Sequence, residues 1–342
     1  MSSQVASAPT GITGTPTAAP ISVTYALVLT AVFLVVGMAL PRMIGSVLLM
    51  TLLAQATIAA ILSMSIGTLL RLNGVITFGH AAFYGMAVYL VALPVNNQWM
   101  PAEAAIVLAL VVPTLLAFLL GVGIVNIPGI AFSMLTLAVG QAAYEFAMKA
   151  REVTGGEDGM SIRLPAELFG MSLGVFQKPQ SMFMICWAML VVLVLALWLL
   201  TRSRFGRLVE AIRENEERAR FIGYRTRLPR AIVVGVSGFI AALAGVLAAL
   251  YNGFVSPDTL HWSLSGSALI MVIIGGPRLL WGPAFGAIVF FFFKDVAGNY
   301  TEHWPALIGM TLILITVRVP KGIGGVLADW LSRRRVGKEA AS

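Results

Sequence analysis

Three histidines stand far apart, at positions 80, 261 and 303. Neither HExxH nor GxSxG occurs, so no zinc-hydrolase or serine-hydrolase constellation is visible. GxxxxGK[ST] is absent too, so the chain carries no P-loop for ATP. Two other groups of residues stand out. Asn73, Thr77 and His80 lie in the otherwise apolar stretch 72–92, LNGVITFGHAAFYGMAVYLVA. A polar group in hydrocarbon must be satisfied by protein or water, so all three are expected to face inward. Gly74, Gly79 and Gly85 leave room for a helix break or a close backbone approach. Two readings follow: polar groups satisfied within helix packing, or a helix lining a transport path.

The second group is an island of charge at 202–230, RSRFGRLVEAIRENEERARFIGYRTRLPR. It holds nine Arg and four Glu, which is 13 of the 38 acidic and basic residues in the chain. The spacing predicts one helix over 207–222, with Leu208, Ile212, Ala219 and Ile222 on one face. Glu214 with Arg218 and Glu216 with Arg220 are i,i+4 pairs, each adding roughly 0.2–0.5 kcal/mol. Gly223 is the expected C-terminal cap, and Leu228-Pro229 opens a new segment. Such a helix suits docking on a partner, or is a solvated helix whose charge holds orientation.

The elements that carry these groups follow from composition. Of 342 residues, 58% are hydrophobic and 11% charged, against roughly 25% charged in soluble domains. The fold class expected is all-α, a polytopic membrane helix bundle of about 10 transmembrane segments, some broken or short. Spans fall near 22–40, 44–70, 76–95, 102–125, 129–148, 181–201, 230–252, 264–276, 282–298 and 304–319. The 264–276 segment is short enough to be broken or re-entrant, and the first span is expected to be peripheral. Ala241, Gly245 and Ala249 form a small-xxx-small stripe for tight helix contact. Phe78-Gly79-His80-Ala81 faintly echoes Trp281-Gly282-Pro283-Ala284, too briefly to establish a repeat.

With the island in the cytoplasm, 17 Lys and Arg fall on that side and 6 on the other. This asymmetry predicts both termini cytoplasmic. It also accounts for the net charge of +8 without nucleic acid. Residues 1–20 lack Lys and Arg and are expected to be a disordered cytoplasmic tail, while 321–342 reads as a basic cytoplasmic tail. The membrane-spanning region is then 21–320, with a cytoplasmic loop at 202–229 and an extracytoplasmic loop at 149–180. That outer loop contains the turn cluster Thr154-Gly155-Gly156-Glu157-Asp158-Gly159, a docking surface or a plain connector. The single Cys186 excludes a disulfide framework, and no Cys/His zinc spacing exists.

Several blocks, in order across roughly 45–325, together resemble a known family: GVITFGHAAFYGMAVYLVAL, TGGEDGM, SRFGRLVEAIRENEERARFIGY, FIAALAGVLAAL, GGPRLLWGPAFGA and VRVPKGIGG. The family is that of the branched-chain amino acid permeases of ABC importers, and the AIREN form of the island resembles the M-type (LivM-like) subunit. The resemblance implies a complex with a sister permease, two ATP-binding subunits and a periplasmic or lipid-anchored substrate-binding protein. It implies a bacterial or archaeal inner membrane, no cofactor on this chain, and ATP with magnesium on the partner subunits. Glu217-x-Ala219 with Gly223 resembles the family's coupling motif, although Leu228-Pro229 follows sooner than in the wider motif. The implied coupling residues are Leu208, Ile212, Arg213, Glu214, Glu217, Ala219 and Gly223. Asn73, Thr77 and His80 are the path candidates, and Thr154, Gly155, Gly156 and Asp158 the binding-protein docking candidates. The implied solutes are branched-chain or other hydrophobic amino acids, with urea, short amides and aromatic acids as alternatives. An ATP-independent channel or secondary carrier is the reading from another class, and it has no use for the island.

Overall fold

The computed structural model describes residues 22–127, 129–300, 303–319 and 322–326. The predicted tail at 1–20 lies outside the described residues; of the predicted tail at 321–342 only 322–326 is described, and that piece is helical and packs on Gly275–Gly276 instead of standing free. The long helices run in the expected order: α1 (Val23–Met43), α2 (Val47–Asn73), α3 (His80–Asn96), α4 (Ala102–Ile124) and α5 (Gly129–Lys149). After the short α6 (Arg151–Thr154) and α7 (Leu173–Gln177) come α8 (Pro179–Arg202), then α9 (Arg204–Glu214) and α10 (Glu216–Phe221) in the island. The chain closes with α11 (Arg227–Asn252), α12 (Trp262–Gly275), α13 (Gly282–Tyr300) and α14 (Trp304–Arg318). Each of the ten predicted spans coincides with one helix to within a few residues.

Six of these helices are long and apolar enough to cross a membrane: α1, α2, α4, α5, α8 and α11. The others are shorter or more polar. At 14 residues, α12 rises about 21 Å, well short of the roughly 30 Å hydrocarbon thickness. A 3₁₀ turn at Pro257–Leu260 and the two-residue strand Phe254–Val255 precede it. The expected broken segment, 264–276, is thus one continuous short helix, and the irregular backbone before it is covered by protein at Val255, Pro257 and Leu260.

The core lies where α2 and α11 cross. Ala241, Gly245 and Ala249 are fully buried in α11. A Cβ on Gly245 would collide with the Tyr84 carbonyl of α3, so the small-residue stripe sets how closely the backbones approach. Peripheral α1 packs mainly on α8, where the Trp187 ring fills the space a side chain at Gly37 would need. The Trp187 indole N–H donates to the Phe33 carbonyl at 2.9 Å.

Two short antiparallel strand pairs lie outside the bundle. Met160–Ser161 pairs with Phe254–Val255, tying the 149–180 loop to the end of α11. Glu167–Leu168 pairs with Met171–Ser172 within the loop. Arg71 donates from its guanidinium to the Arg278 carbonyl at 2.9 Å, so the α2 and α12–α13 turns meet at one end of the bundle, the end that carries α9.

Candidate functional site

The break between α2 and α3 is a closed polar network. α2 ends at Asn73, and Gly74 caps it at φ 70°, its N–H donating to the Leu70 carbonyl. The chain then runs irregularly to Gly79, the N-cap of α3. Phe78 N–H donates to Thr136 Oγ1 at 3.3 Å, and Ser133 Oγ donates to the Ile76 carbonyl at 2.8 Å, so α5 supplies partners that the broken helix lost.

His80 sits at the centre, 1% exposed. Its Nε2 lies 2.5 Å from Ser237 Oγ, and its Nδ1 lies 3.2 Å from Thr77 Oγ1. The Ser237 hydroxyl donates to the Ser65 carbonyl at 2.7 Å. A hydroxyl has one proton, so Ser237 can only accept from His80. Nε2 therefore carries a proton, and in the neutral ring Nδ1 accepts from the Thr77 hydroxyl. Thr77 Oγ1 in turn accepts from Gly79 N–H at 3.2 Å. Every side-chain polar atom of Thr77 and His80 is engaged within the chain. Asn73 donates through Nδ2 to the Arg230 carbonyl at 2.9 Å, while its Oδ1 is buried with no hydrogen-bond partner. Thr77 and His80 come together beside a cavity of about 20 Å³, while Asn73 bonds separately to α11.

The island differs from expectation. Instead of one helix over 207–222, α9 ends at Glu214 and α10 begins at Glu216, with Asn215 extended between them at φ −155° and ψ 98°. Asn215 is a poor interior residue and a strong N-cap. Its side-chain oxygen accepts from Arg218 N–H at 2.8 Å, and Glu216 and Glu217 occupy the first turn of α10, where helix-dipole charge favours them. The break takes Glu214 and Arg218 off consecutive turns of one helix, and no ion pair between them occurs among the described residues. The second expected pair does form, Glu216 to Arg220 at 2.8 Å.

The predicted common apolar face is also corrected. Ile212 is 2% exposed, Val209 and Ala219 are buried, and Leu208 is half-buried, all turned toward the chain's own helices. Ile222 points the other way and is 69% exposed, beside Phe221 at 89%. Tyr224 and Leu228 are exposed as well. Ile212 thus anchors α9, and the apolar side chains open to an outside surface are Phe221, Ile222, Tyr224 and Leu228. Glu214 and Glu217 are exposed as expected. Arg213 instead donates to the Arg71 carbonyl at 2.6 Å, binding α9 to the end of α2.

Glu216 fastens α10 to α11. Its Oε2 pairs with Arg230 at 2.8 Å, and its Oε1 accepts from Arg220 and from the Thr226 hydroxyl, each at 2.8 Å. Since Arg230 also presents its carbonyl to Asn73, one residue links the island to the α2–α3 break. Gly223, at φ 95°, ends α10 as expected. Its N–H donates to the Arg220 carbonyl at 2.9 Å and Tyr224 N–H to the Ala219 carbonyl at 3.1 Å, the double bond pattern of a left-handed glycine cap.

In the 149–180 loop, Thr154 is 4% exposed, its hydroxyl held against the Ala147 and Ala150 carbonyls, and Gly156 is buried. These two shape the turn, while Glu157 and Asp158 face outward and Gly155 is half-buried at φ 78°. Expecting Thr154 and Gly156 to form part of a contact surface is thereby corrected, because their groups are spent inside.

Comparison with known proteins agrees with the fold. A model of the family described as "Branched-chain amino acid transport system / permease component" matches residues 48–316. Over 313 residues the chain is 26% identical to the high-affinity branched-chain amino acid transport system permease protein LivM of Salmonella typhimurium, covering 85% of this chain and 73% of that one. LivM of Escherichia coli K12 matches with the same identity and coverage. The autoinducer 2 import system permease protein LsrC of Escherichia coli is 28% identical over 269 residues, 78% of this chain and 71% of its own length. No solved structure matches the chain.

Proposed function

Because the chain belongs to the family of branched-chain amino acid transport permease components, we propose that it is the membrane-spanning permease subunit of an ATP-driven importer. It works beside a sister permease, two ATP-binding subunits and a periplasmic or lipid-anchored substrate-binding protein. ATP and magnesium sit on the ATP-binding subunits. The membrane is the inner membrane of a bacterium or archaeon, and both termini are cytoplasmic. Residues 21–320, with 322–326 packed on them, form the permease domain between two cytoplasmic tails. The solutes are branched-chain or other hydrophobic amino acids.

The observation that carries this reading is the outward surface of the island. Phe221, Ile222 and Tyr224 cluster on an arginine-rich helix end, exposed in the isolated chain. Apolar groups of this size gathered on a charged surface mark a contact with another protein. Glu217 beside them sets register by charge, while α9 and the Glu216–Arg230 pair fasten the contact to α2 and α11. Closure of the ATP-binding subunits pushes on α10, and the push reaches the bundle through Glu216, Arg230 and Arg213. Gly223 fixes the exit of α10, and Leu208, Ile212 and Ala219 seat the island on the bundle. Asn73, Thr77 and His80 hold the α2–α3 break in shape beside the path, and Glu157 and Asp158 meet the binding protein around the Gly155–Gly156 turn.

The test is purification of the whole complex from cells expressing the chain with its partners. Phe221→Asp with Ile222→Asp should leave insertion intact, detach the ATP-binding subunit and abolish leucine uptake. An undiminished complex and normal uptake would remove the island from the coupling role and return the channel or carrier reading.

A further inference from the structure

At the end of the bundle opposite α9 and α10, helices α2, α3, α11, α12 and α13 enclose a cleft of about 240 Å³. A single water needs only about 10–15 Å³ of such space, so the cleft is sized for a small organic molecule. Gln55, Tyr84, Asn252, Ser267 and Lys294 line it. Gln55, Asn252 and Lys294 are exposed. Gln55 lies eight residues into α2 and Lys294 six residues before the end of α13, about 12 Å and 9 Å from those ends. At that depth an exposed amide or ammonium does not face lipid tails, where each costs several kcal/mol in hydrocarbon. Deeper along the same faces of α2 and α13 the lining turns apolar, with Leu62 and Phe290 beside Met271 of α12. A few converging polar groups at the mouth of an otherwise apolar cleft are the general make-up of a small-molecule site.

We propose that this cleft is the solute-binding station of the permease, taking a small amphipathic molecule with one zwitterionic or amide-like end and one hydrocarbon end. Gln55, Asn252 and Lys294 receive the polar end, and Leu62, Met271 and Phe290 receive the hydrocarbon end. The inference rests on the permease reading and adds where, and by what chemistry, the chain selects. The cavity beside His80, about 20 Å³, is too small for such a solute. A solute polar at both ends leaves the apolar wall unfilled, and one apolar at both ends strands the amides.

The experiment uses the complete complex in proteoliposomes, with L-leucine as the probe. Ala59 lines the cleft and is small, so Ala59→Trp fills it. Leucine uptake should fall about tenfold or more while the complex still co-purifies. Gln55→Leu keeps size and removes the amide; it should raise the KM for leucine and relax discrimination against solutes without a polar end. If Ala59→Trp fails to assemble, Gln55→Leu decides alone. In a Cys186→Ser background, Ser267→Cys should react with a water-soluble thiosulfonate, and leucine should slow that reaction. Wild-type uptake of leucine together with unchanged kinetics in the assembled variants overturns the cleft and leaves the permease reading standing. So does a Ser267→Cys that water-borne reagent never reaches, which would mean that the sister subunit plugs the space. No amino acid uptake by the wild-type complex overturns the permease reading itself, and the cleft with it.

Discussion

The chain breaks its helices in two polar places, and the breaks are built oppositely. Between α2 and α3, the groups freed by the break are taken up inside: Thr77, His80 and Ser237 run from the loop to the Ser65 carbonyl without reaching a surface. Between α9 and α10, the inner side is equally closed by Ile212, Arg213 and Glu216, but the outer side leaves Phe221 and Ile222 in the open. A spent network stabilises one shape; an unspent apolar surface awaits a contact. Polarity within a membrane protein is therefore no guide to function until its partners are counted.

The sharpest way to break this comparison is to place a charge on each side of the island. Ile212→Asp buries an unpaired carboxylate where the side chain is 2% exposed. It should cost about 4 kcal/mol or more and be seen as lost insertion or a collapsed melting transition in detergent. Phe221→Asp should stay within about 0.5 kcal/mol of wild type in the same melt and yet lose the ATP-binding subunit on pull-down. Equal behaviour of the two would erase the distinction between the faces. Next in size, His80→Leu leaves Thr77 without its acceptor and Ser237 without its donor, at about 2 kcal/mol. The melting temperature should fall, with solute selectivity unchanged in whatever protein assembles; altered selectivity would reopen His80 as a path residue.

A smaller effect is expected at Glu216, whose side chain is 31% exposed and whose partner Arg230 is 12% exposed. Glu216→Ala should cost about 1–2 kcal/mol. A double-mutant cycle with Arg230→Ala should show that the losses do not add. Additive losses would mean that the pair transmits nothing between α10 and α11. Smallest in stability is Gly223→Val, which forces a β-branched residue to φ 95° for about 1–2 kcal/mol confined to the end of α10. Its readout is faster proteolysis after Arg220 rather than a shifted global melt.

Hydropathy made the ten spans legible, because an apolar run near 20 residues long has few other uses. Gly74 and Gly79 in a polar setting pointed to the α2–α3 break, and Ala241-Gly245-Ala249 to a close helix contact. The island was read half correctly. Leu208 and Ile212 do share a face, but periodicity carries no mark of whether the covering surface is the chain's own or a partner's. The break at Asn215 did have a signal, an Asn followed at once by Glu-Glu, which is an N-cap with an acidic first turn. The i,i+4 pairs on either side masked it. Gln55 stood as a lone amide, and Lys294-Asp295 as a charged pair, in otherwise apolar helices, a cue to function. The convergence of Gln55 and Lys294 with Asn252 required α2, α11 and α13 to be placed in space, which no local pattern encodes.

The contact between Phe33 and Trp187 bears on how the protein is made. The two residues are 154 positions apart. At a translation rate of about 5–20 residues per second, α1 leaves the ribosome roughly 8–30 s before the indole it will hold has been synthesised. It must wait in the bilayer as a lone hydrophobic rod, kept from wandering only by its tether to α2. The groove at Gly37 stays unfilled through that interval, so docking of α1 on α8 is a late step of biogenesis. A ribosome stalled before residue 187 should expose a cysteine placed at Gly37 to lipid-soluble reagents, and the finished chain should shield it.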